Sequence, residues 1–192
     1  KTNVKEFAKY VNQFISHLGL SDVTLLGNSL GGHISLLVSL LYPKNIRGLI
    51  ITGSSGLYEN SMGESYPKRE DKDYMRKKCE EVFYDPKVAT DEVVDEVFET
   101  VNDRKKLVKI LTIAKSAIRH NMSKDLPKIK IPTAIIWGEN DIVTPPEVGQ
   151  DFNRLLPNST LFWIKECGHA PMMEHPNQFN AHMKKWLSTN SN

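Results

Sequence analysis

Cysteine is scarce: the chain holds two in 192 residues, Cys79 and Cys167. That is too few for a disulfide scaffold and fits a reducing, cytoplasmic compartment. No Cys/His spacing suits a metal ion, so neither metal nor cofactor is expected. Long apolar runs are missing as well. Ile34 to Leu41 falls far short of the roughly 18 residues of a membrane span, and no membrane partner is expected. The residues shown contain no signal-peptide pattern, and they open on Lys1 rather than Met, which leaves the true N-terminus open. Neither sign of charge dominates, with 25 Lys and Arg against 23 Asp and Glu. Nucleic acid is therefore not an expected partner. The densest charge cluster, Lys68 to Lys78, mixes both signs, as a solvated helix face does. Internal repeats and low-complexity segments are also absent.

What is present is a chain with 40% hydrophobic residues, long enough to bury a sizeable core. Val4, Phe7, Ala8, Val11, Phe14, Ile15 and Leu18 recur at helical spacing up to Gly19, predicting an amphipathic helix. Val23 to Leu26 reads as a strand, Ile34 to Leu41 as a helix and Ile46 to Thr52 as a buried strand closed by Gly53-Ser54-Ser55-Gly56. From Leu57 to about Asp125 the alternation stops. A weak helical pattern crosses Tyr74 to Phe83, and a second places Val93, Val94, Val97, Phe98 and Val101 behind Thr90. A third carries Leu107, Val108, Leu111, Ala114 and Ile118. With no strand between them, they predict an inserted helical lid. Strand Thr133–Trp137, a helix opened by Pro145-Pro146, strand Ser159–Lys165 and a closing helix with Phe179, Met183, Trp186 and Leu187 follow. The fold class expected is α/β, with a mostly parallel sheet and flanking helices. It divides into core residues 1–56, lid residues 57–125 and core residues 126–192.

The chain is organised around Gly27-Asn28-Ser29-Leu30-Gly31-Gly32, at the corner between a strand and a helix. A serine there is held in a strained conformation with its hydroxyl above the sheet, and glycines two residues to either side remove colliding side chains. The Leu30 N–H, at the new helix N-terminus, points towards the place where an oxyanion would form. In the plainer alternative, Ser29 is only the N-cap of that helix.

A serine hydroxyl is nearly inert at neutral pH and needs a base, and the base needs an orienting acid. His169 follows one strand end in Gly168-His169-Ala170-Pro171, and Asp141 follows another. Both are placed at the rim where open α/β sheets bind ligands. The order Ser29, Asp141, His169 is that of an α/β-hydrolase triad. Glu139 is the rival acid, nearer its strand. His33 is read as packing against the sheet, His175 and His182 as helix-entry and surface residues, and Cys167 as a small core residue. Met62, Tyr66, Phe83, Met172 and Met173 are candidate pocket residues.

The elbow, the turn Trp137-Gly138-Glu139-Asn140-Asp141 and the loop Cys167-Gly168-His169 together resemble the α/β-hydrolase superfamily. Asn28 and Gly53-Ser54-Ser55-Gly56-Leu57 are most similar to the branch of meta-cleavage-product hydrolases and related carboxylesterases. The resemblance implies a serine hydrolase with Ser29 as nucleophile, His169 as base and Asp141 as acid. Leu30 would be one oxyanion donor, and the substrate a small, largely apolar ester or a carbon–carbon (vinylogous diketone) compound. Carbon–carbon hydrolases of that branch carry a lid arginine for the substrate carboxylate, and Asp95-Glu96-Val97-Phe98 has none. A ligand receptor that keeps the hydrolase pocket is the alternative function. The resemblance also implies strands ahead of the elbow, and a loop with the second oxyanion donor, that this sequence does not show. The expectation is a C-terminal portion, weakly folded or inactive alone, or else a chain completed by a second chain or homodimer partner.

Overall fold

The structure is a computed structural model, described for residues 3–60 and 68–190. Chain order begins with helix α1 (Val4–His17), strand β1 (Val23–Asn28), helix α2 (Leu30–Leu41) and strand β2 (Ile46–Thr52). Helices α3 (Lys72–Glu80), α4 (Asp91–Asn102) and α5 (Arg104–Arg119) follow. The α/β pattern then resumes with β3 (Thr133–Gly138), α6 (Pro146–Leu155), β4 (Ser159–Ile164), the short α7 (Pro171–Glu174) and α8 (Pro176–Thr189). The strands form one four-stranded sheet in the order β1-β2-β3-β4, and every pairing is parallel.

Local chemistry accounts for most boundaries. Asn3 caps α1 by accepting from the Glu6 N–H, and Gly19 ends that segment at φ +63, where a side chain would be strained. Asp71 and Thr90 accept from the Tyr74 and Val93 amides at the starts of α3 and α4, as N-caps do. Pro145-Pro146 opens α6 where no amide donor is needed. The fourth-strand pattern and all helices longer than one turn match the spacing read from the sequence. The single turn of α7 does not, because four residues are too few to show a period.

The sheet is covered on both faces. Leu49, Ile51, Ile135 and Trp137 point into the larger core with Leu36, Leu37, Val38 and Phe152 from α2 and α6. Their neighbours Ile50, Ala134 and Ile136 point the other way, onto Phe179 and Trp186 of α8. This period-two division is why β2 and β3 carry almost no polarity: parallel strands buried on both faces have no solvent side. Gly48 lies under α8, and a Cβ there would stand 2.9 Å from the Trp186 ring.

Among the described residues no strand lies between β2 and β3. Helices α3, α4 and α5 form an insertion with its own small core of Cys79, Ala89 and Val94. Lys72–Asp95 and Arg76–Asp91 tie α3 to α4, but these ion pairs are largely exposed and contribute little. The insertion returns to the main body where Ser116 of α5 accepts from the Val4 N–H and where the Met122 N–H donates to Gly56. No helix of the described residues is long and apolar enough to cross a membrane.

Candidate active site

Parallel register brings the C-terminal strand ends to one rim. Asn28 pairs with Thr52 across β1 and β2, and Gly138 pairs with Ile164 across β3 and β4. Ser29, Gly53, the turn ending in Asp141 and the loop carrying His169 all leave from this rim.

Ser29 has φ +54 and ψ −117. A non-glycine residue there is strained by about 1–3 kcal/mol, so the surroundings must hold it. They do so through the backbone: the Ser29 N–H donates to Thr52 at 2.9 Å, and its carbonyl accepts from His33 and Ser55, each at 3.2 Å. The side chain makes no capping hydrogen bond to α2, which removes the N-cap reading. Leu30 opens α2, and amides of a first turn have no acceptor within their own helix.

The elbow glycines differ from the expectation. A Cβ on Gly27 would come within 2.3 Å of the Gly31 backbone, and one on Gly32 within 2.5 Å of Ser54 Oγ. One on Gly31 would meet nothing within 4 Å. The close approach of strand to helix falls on Gly27 and Gly32, because the first turn of α2 points Gly31 away from the packed corner.

Asp141 is 2% exposed and uses its two oxygens differently. Oδ1 accepts the Val143 and Thr144 amides at 2.8 and 2.9 Å. Oδ2 accepts from Thr144 Oγ1 at 2.7 Å and from His169 Nδ1 at 2.9 Å. One oxygen builds the turn and the other faces the imidazole, so the turn role and the acid role belong to the same residue. The buried Trp137 indole reinforces this turn by donating to the Thr144 carbonyl at 3.0 Å. Glu139 is exposed, and its amide bonds to Ile164. A carboxylate can only accept, so Nδ1 of His169 is the donor to Asp141, and in the neutral ring the lone pair lies on Nε2.

His169 is held on several sides. Its carbonyl accepts from Asn28 Nδ2 at 3.0 Å, its N–H donates to Val82 at 2.9 Å, and its ring lies against Gly53. Gly53 has φ +48, and a Cβ there would come within 2.8 Å of Nδ1. Asn28 also donates to the Thr52 carbonyl at 3.2 Å, so one amide group joins the serine elbow to the histidine loop. Thr144 and Gly53 carry no sequence signal as site residues, and Asn28 carries only its position between Gly27 and Ser29. Asn28 and Gly53 act through contacts distant in the chain, and Thr144 acts by bonding Asp141 three residues away, as any turn threonine could.

Glu59 is a further residue missed from the sequence. It is half-buried on a segment fixed to the Asp141 turn, where the Asn60 N–H donates to Val143 at 2.7 Å and Asn60 Nδ2 to Ile142 at 2.8 Å. Burial pushes its carboxyl up, partly offset by the nearby His169.

The other expected residues are placed as follows. Cys167 is fully buried in the α8-side core, and burial, then Glu174, push its thiol up. Phe83 packs on the insertion's own core, Met172 packs beneath α8 and Met173 is 45% exposed. Met62 and Tyr66 lie outside the described residues. His33 is fully buried, but its ring faces Gly56 and shares a 3.0 Å hydrogen bond with His120 rather than packing on the sheet alone. Among the described residues no group of three or more His, Cys, Asp or Glu side chains could hold a metal ion. A cleft of about 620 Å³ between α1 and α5, lined by Asn3, Lys5, Lys115, Arg119 and His120 among others, contains none of Ser29, Asp141 or His169.

Residues 1–176 match the family model Hydrolase_4, described as serine aminopeptidase, S33. The crystal structure of an α/β-hydrolase enzyme from a sediment metagenome of the Mar Chica lagoon, Morocco, is 50% identical. It superposes with a TM-score of 0.78 over 100% of this chain and 73% of its own. A 2-hydroxy-6-oxononadienedioate/2-hydroxy-6-oxononatrienedioate hydrolase of Pseudomonas sp. is 25% identical, over 95% of this chain and 69% of that protein. Lipase 3 of a Moraxella species is 28% identical, over 87% of this chain and 56% of that protein. With a family match that runs from the first helix into the last, and half of its residues shared with a solved relative, this chain belongs to the Hydrolase_4 (serine aminopeptidase, S33) family and is a hydrolase of the α/β-hydrolase fold.

Proposed function

We propose that the chain is the elbow-bearing part of a serine hydrolase in which Ser29, His169 and Asp141 act as a triad on a small, largely apolar carboxylic ester. The observation that carries this reading is the strained Ser29 backbone, whose hydroxyl is left out of helix capping at the same rim as an imidazole oriented by Asp141. Ser29 Oγ attacks the carbonyl carbon while His169 Nε2 takes its proton. The tetrahedral oxyanion is met by the Leu30 N–H, and His169 returns the proton to the leaving alkoxide. Water then repeats the sequence on the acyl-enzyme. Asp141 keeps the Nδ1 proton in place and stabilises the imidazolium. Helices α3 to α5 act as the lid that excludes water from this exchange.

The resemblance to meta-cleavage-product hydrolases, beside a relative named as a 2-hydroxy-6-oxononadienedioate/2-hydroxy-6-oxononatrienedioate hydrolase, brings the second substrate class, a vinylogous diketone, into view. Asp95-Glu96-Val97-Phe98 in α4 offers no arginine for a substrate carboxylate, which favours the ester. The experiment is labelling of the full-length protein with a serine-directed phosphonate, followed by peptide mapping, and turnover of short-chain esters beside a vinylogous diketone. An adduct on Ser29 with ester turnover is expected. Failure to label Ser29 overturns the triad, and turnover of the diketone alone overturns the ester assignment.

A further inference from the structure

We propose that Glu174 is a positioning residue for His169, clipping the histidine loop to the segment Val82–Asp85 of the helical insertion. The proposal rests on the reading of His169 as the catalytic base. Glu174 ends α7, the single turn that begins immediately after the histidine loop. Its side chain turns back on that loop and divides its two oxygens between the two segments. Oε1 accepts the Gly168 N–H at 2.6 Å. Oε2 accepts the Tyr84 N–H at 2.7 Å and the Asp85 N–H at 3.3 Å. These partners lie 90 and 89 residues away in the chain.

Two further observations place the same segments in direct contact. The His169 N–H itself donates to the Val82 carbonyl at 2.9 Å. A Cβ on Gly168 would come within 2.6 Å of Val82 O and 2.9 Å of Tyr84 N, so the approach is possible only because residue 168 has no side chain. The histidine loop is thus bonded to the insertion twice, directly through the His169 N–H and through the Glu174 carboxylate, which takes the Gly168 N–H on one side and the Tyr84 and Asp85 amides on the other. Hydrogen bonds to a carboxylate are stronger than neutral ones. Two oxygens that each need a donor cannot be replaced by one amide, since a glutamine would set its NH2 against a backbone N–H. A displacement of Val82–Asp85 therefore moves the base relative to Ser29, and a shift on the order of 1 Å in a catalytic group is costly in rate.

The test is Glu174→Gln in the full-length protein, assayed on a short-chain ester beside wild type. We expect kcat to fall about tenfold or more with KM unchanged within about twofold, because the base is displaced and the apolar pocket is not. Phosphonate labelling of Ser29 should slow in parallel. Gly168→Ala, which pushes the same segments apart without touching the carboxylate, should reproduce the kcat loss at constant KM. Wild-type kcat in either folded variant overturns the clip, even with a lowered melting temperature, which would mark a structural role alone. A raised KM at wild-type kcat overturns it as well. A wild-type protein unlabelled at Ser29 fails the triad and takes the clip with it. A labelled wild type beside a fully active Glu174→Gln variant fails the clip alone.

Discussion

The imidazole of His169 lies so close to the backbone of Gly53 that a Cβ on Gly53 would stand 2.8 Å from Nδ1 and 2.9 Å from Cε1. Gly53 itself is at φ +48. One residue, directly after the strand whose last carbonyl holds the Ser29 amide, therefore limits where the histidine ring can go. Gly53→Ala should cost about 1–2 kcal/mol of stability from the backbone alone. It should also lower kcat by about a hundredfold, because the ring has to move. Thermal melting and ester kinetics on the same preparation check both parts.

Asn28 Nδ2 bonds two carbonyls, one on Thr52 and one on His169. Asn28→Asp keeps the shape but turns the donor into an acceptor that faces both. We expect at least about a tenfold loss of kcat with an unchanged far-ultraviolet circular dichroism spectrum, since a hydrogen bond is replaced by repulsion. Activity equal to wild type would show that the elbow and the histidine loop stay together without this bridge.

Asp141→Asn should leave the turn in place, because the amide oxygen can still accept from Val143 and Thr144. Its NH2 then faces His169 Nδ1, which must accept, so the ring proton moves to Nε2 and the base is lost. The expected loss in kcat is about a thousandfold or more. A melting temperature close to wild type would separate this effect from unfolding.

The buried His33, hydrogen-bonded to the half-buried His120, makes stability depend on pH. Burial, with His120 beside it, holds His33 down at about 4 from its ordinary 6.5. His120 is also lowered, by burial and Lys5, against the opposing pull of Asp125. The folded pKa lies below the unfolded one, so the unfolded chain takes up the proton first as pH falls. The stability is complete above about pH 6.5, is lost progressively towards pH 4, and changes no further below that. Between those limits wild type should lose about 3 kcal/mol more than His33→Gln. Denaturant midpoints from pH 7 to pH 4 measure the difference, and parallel curves for the two proteins would refute it.

Cys79 and Cys167 are both buried free thiols, and burial pushes both up from the ordinary cysteine range. Reactivity belongs to the thiolate. Iodoacetamide at pH 8 should therefore leave both native cysteines unmodified and ester turnover unchanged. Rapid alkylation of Cys167 with loss of activity would contradict this placement beside the catalytic loop.

Local patterning by itself determined the alternation of strands and helices, the parallel sheet, the insertion without strands and the rim positions of Ser29, Asp141 and His169. Each of these is written in neighbouring residues: a period of two or of 3.6, a capping Thr90, a double proline, a serine between glycines. Tertiary structure alone decided which glycines the elbow requires, Gly27 and Gly32 rather than Gly31. It also decided that His33 faces His120, and that Asn28, Gly53 and Glu174 position the histidine loop. Except for the close approach of Gly27 to Gly31 and the Glu174–Gly168 bond, these relationships join residues that are tens of positions apart, and no local period encodes a distance between two loops. They arise when parallel register brings the strand ends to one rim, where the atoms left without a partner along the chain find one across it.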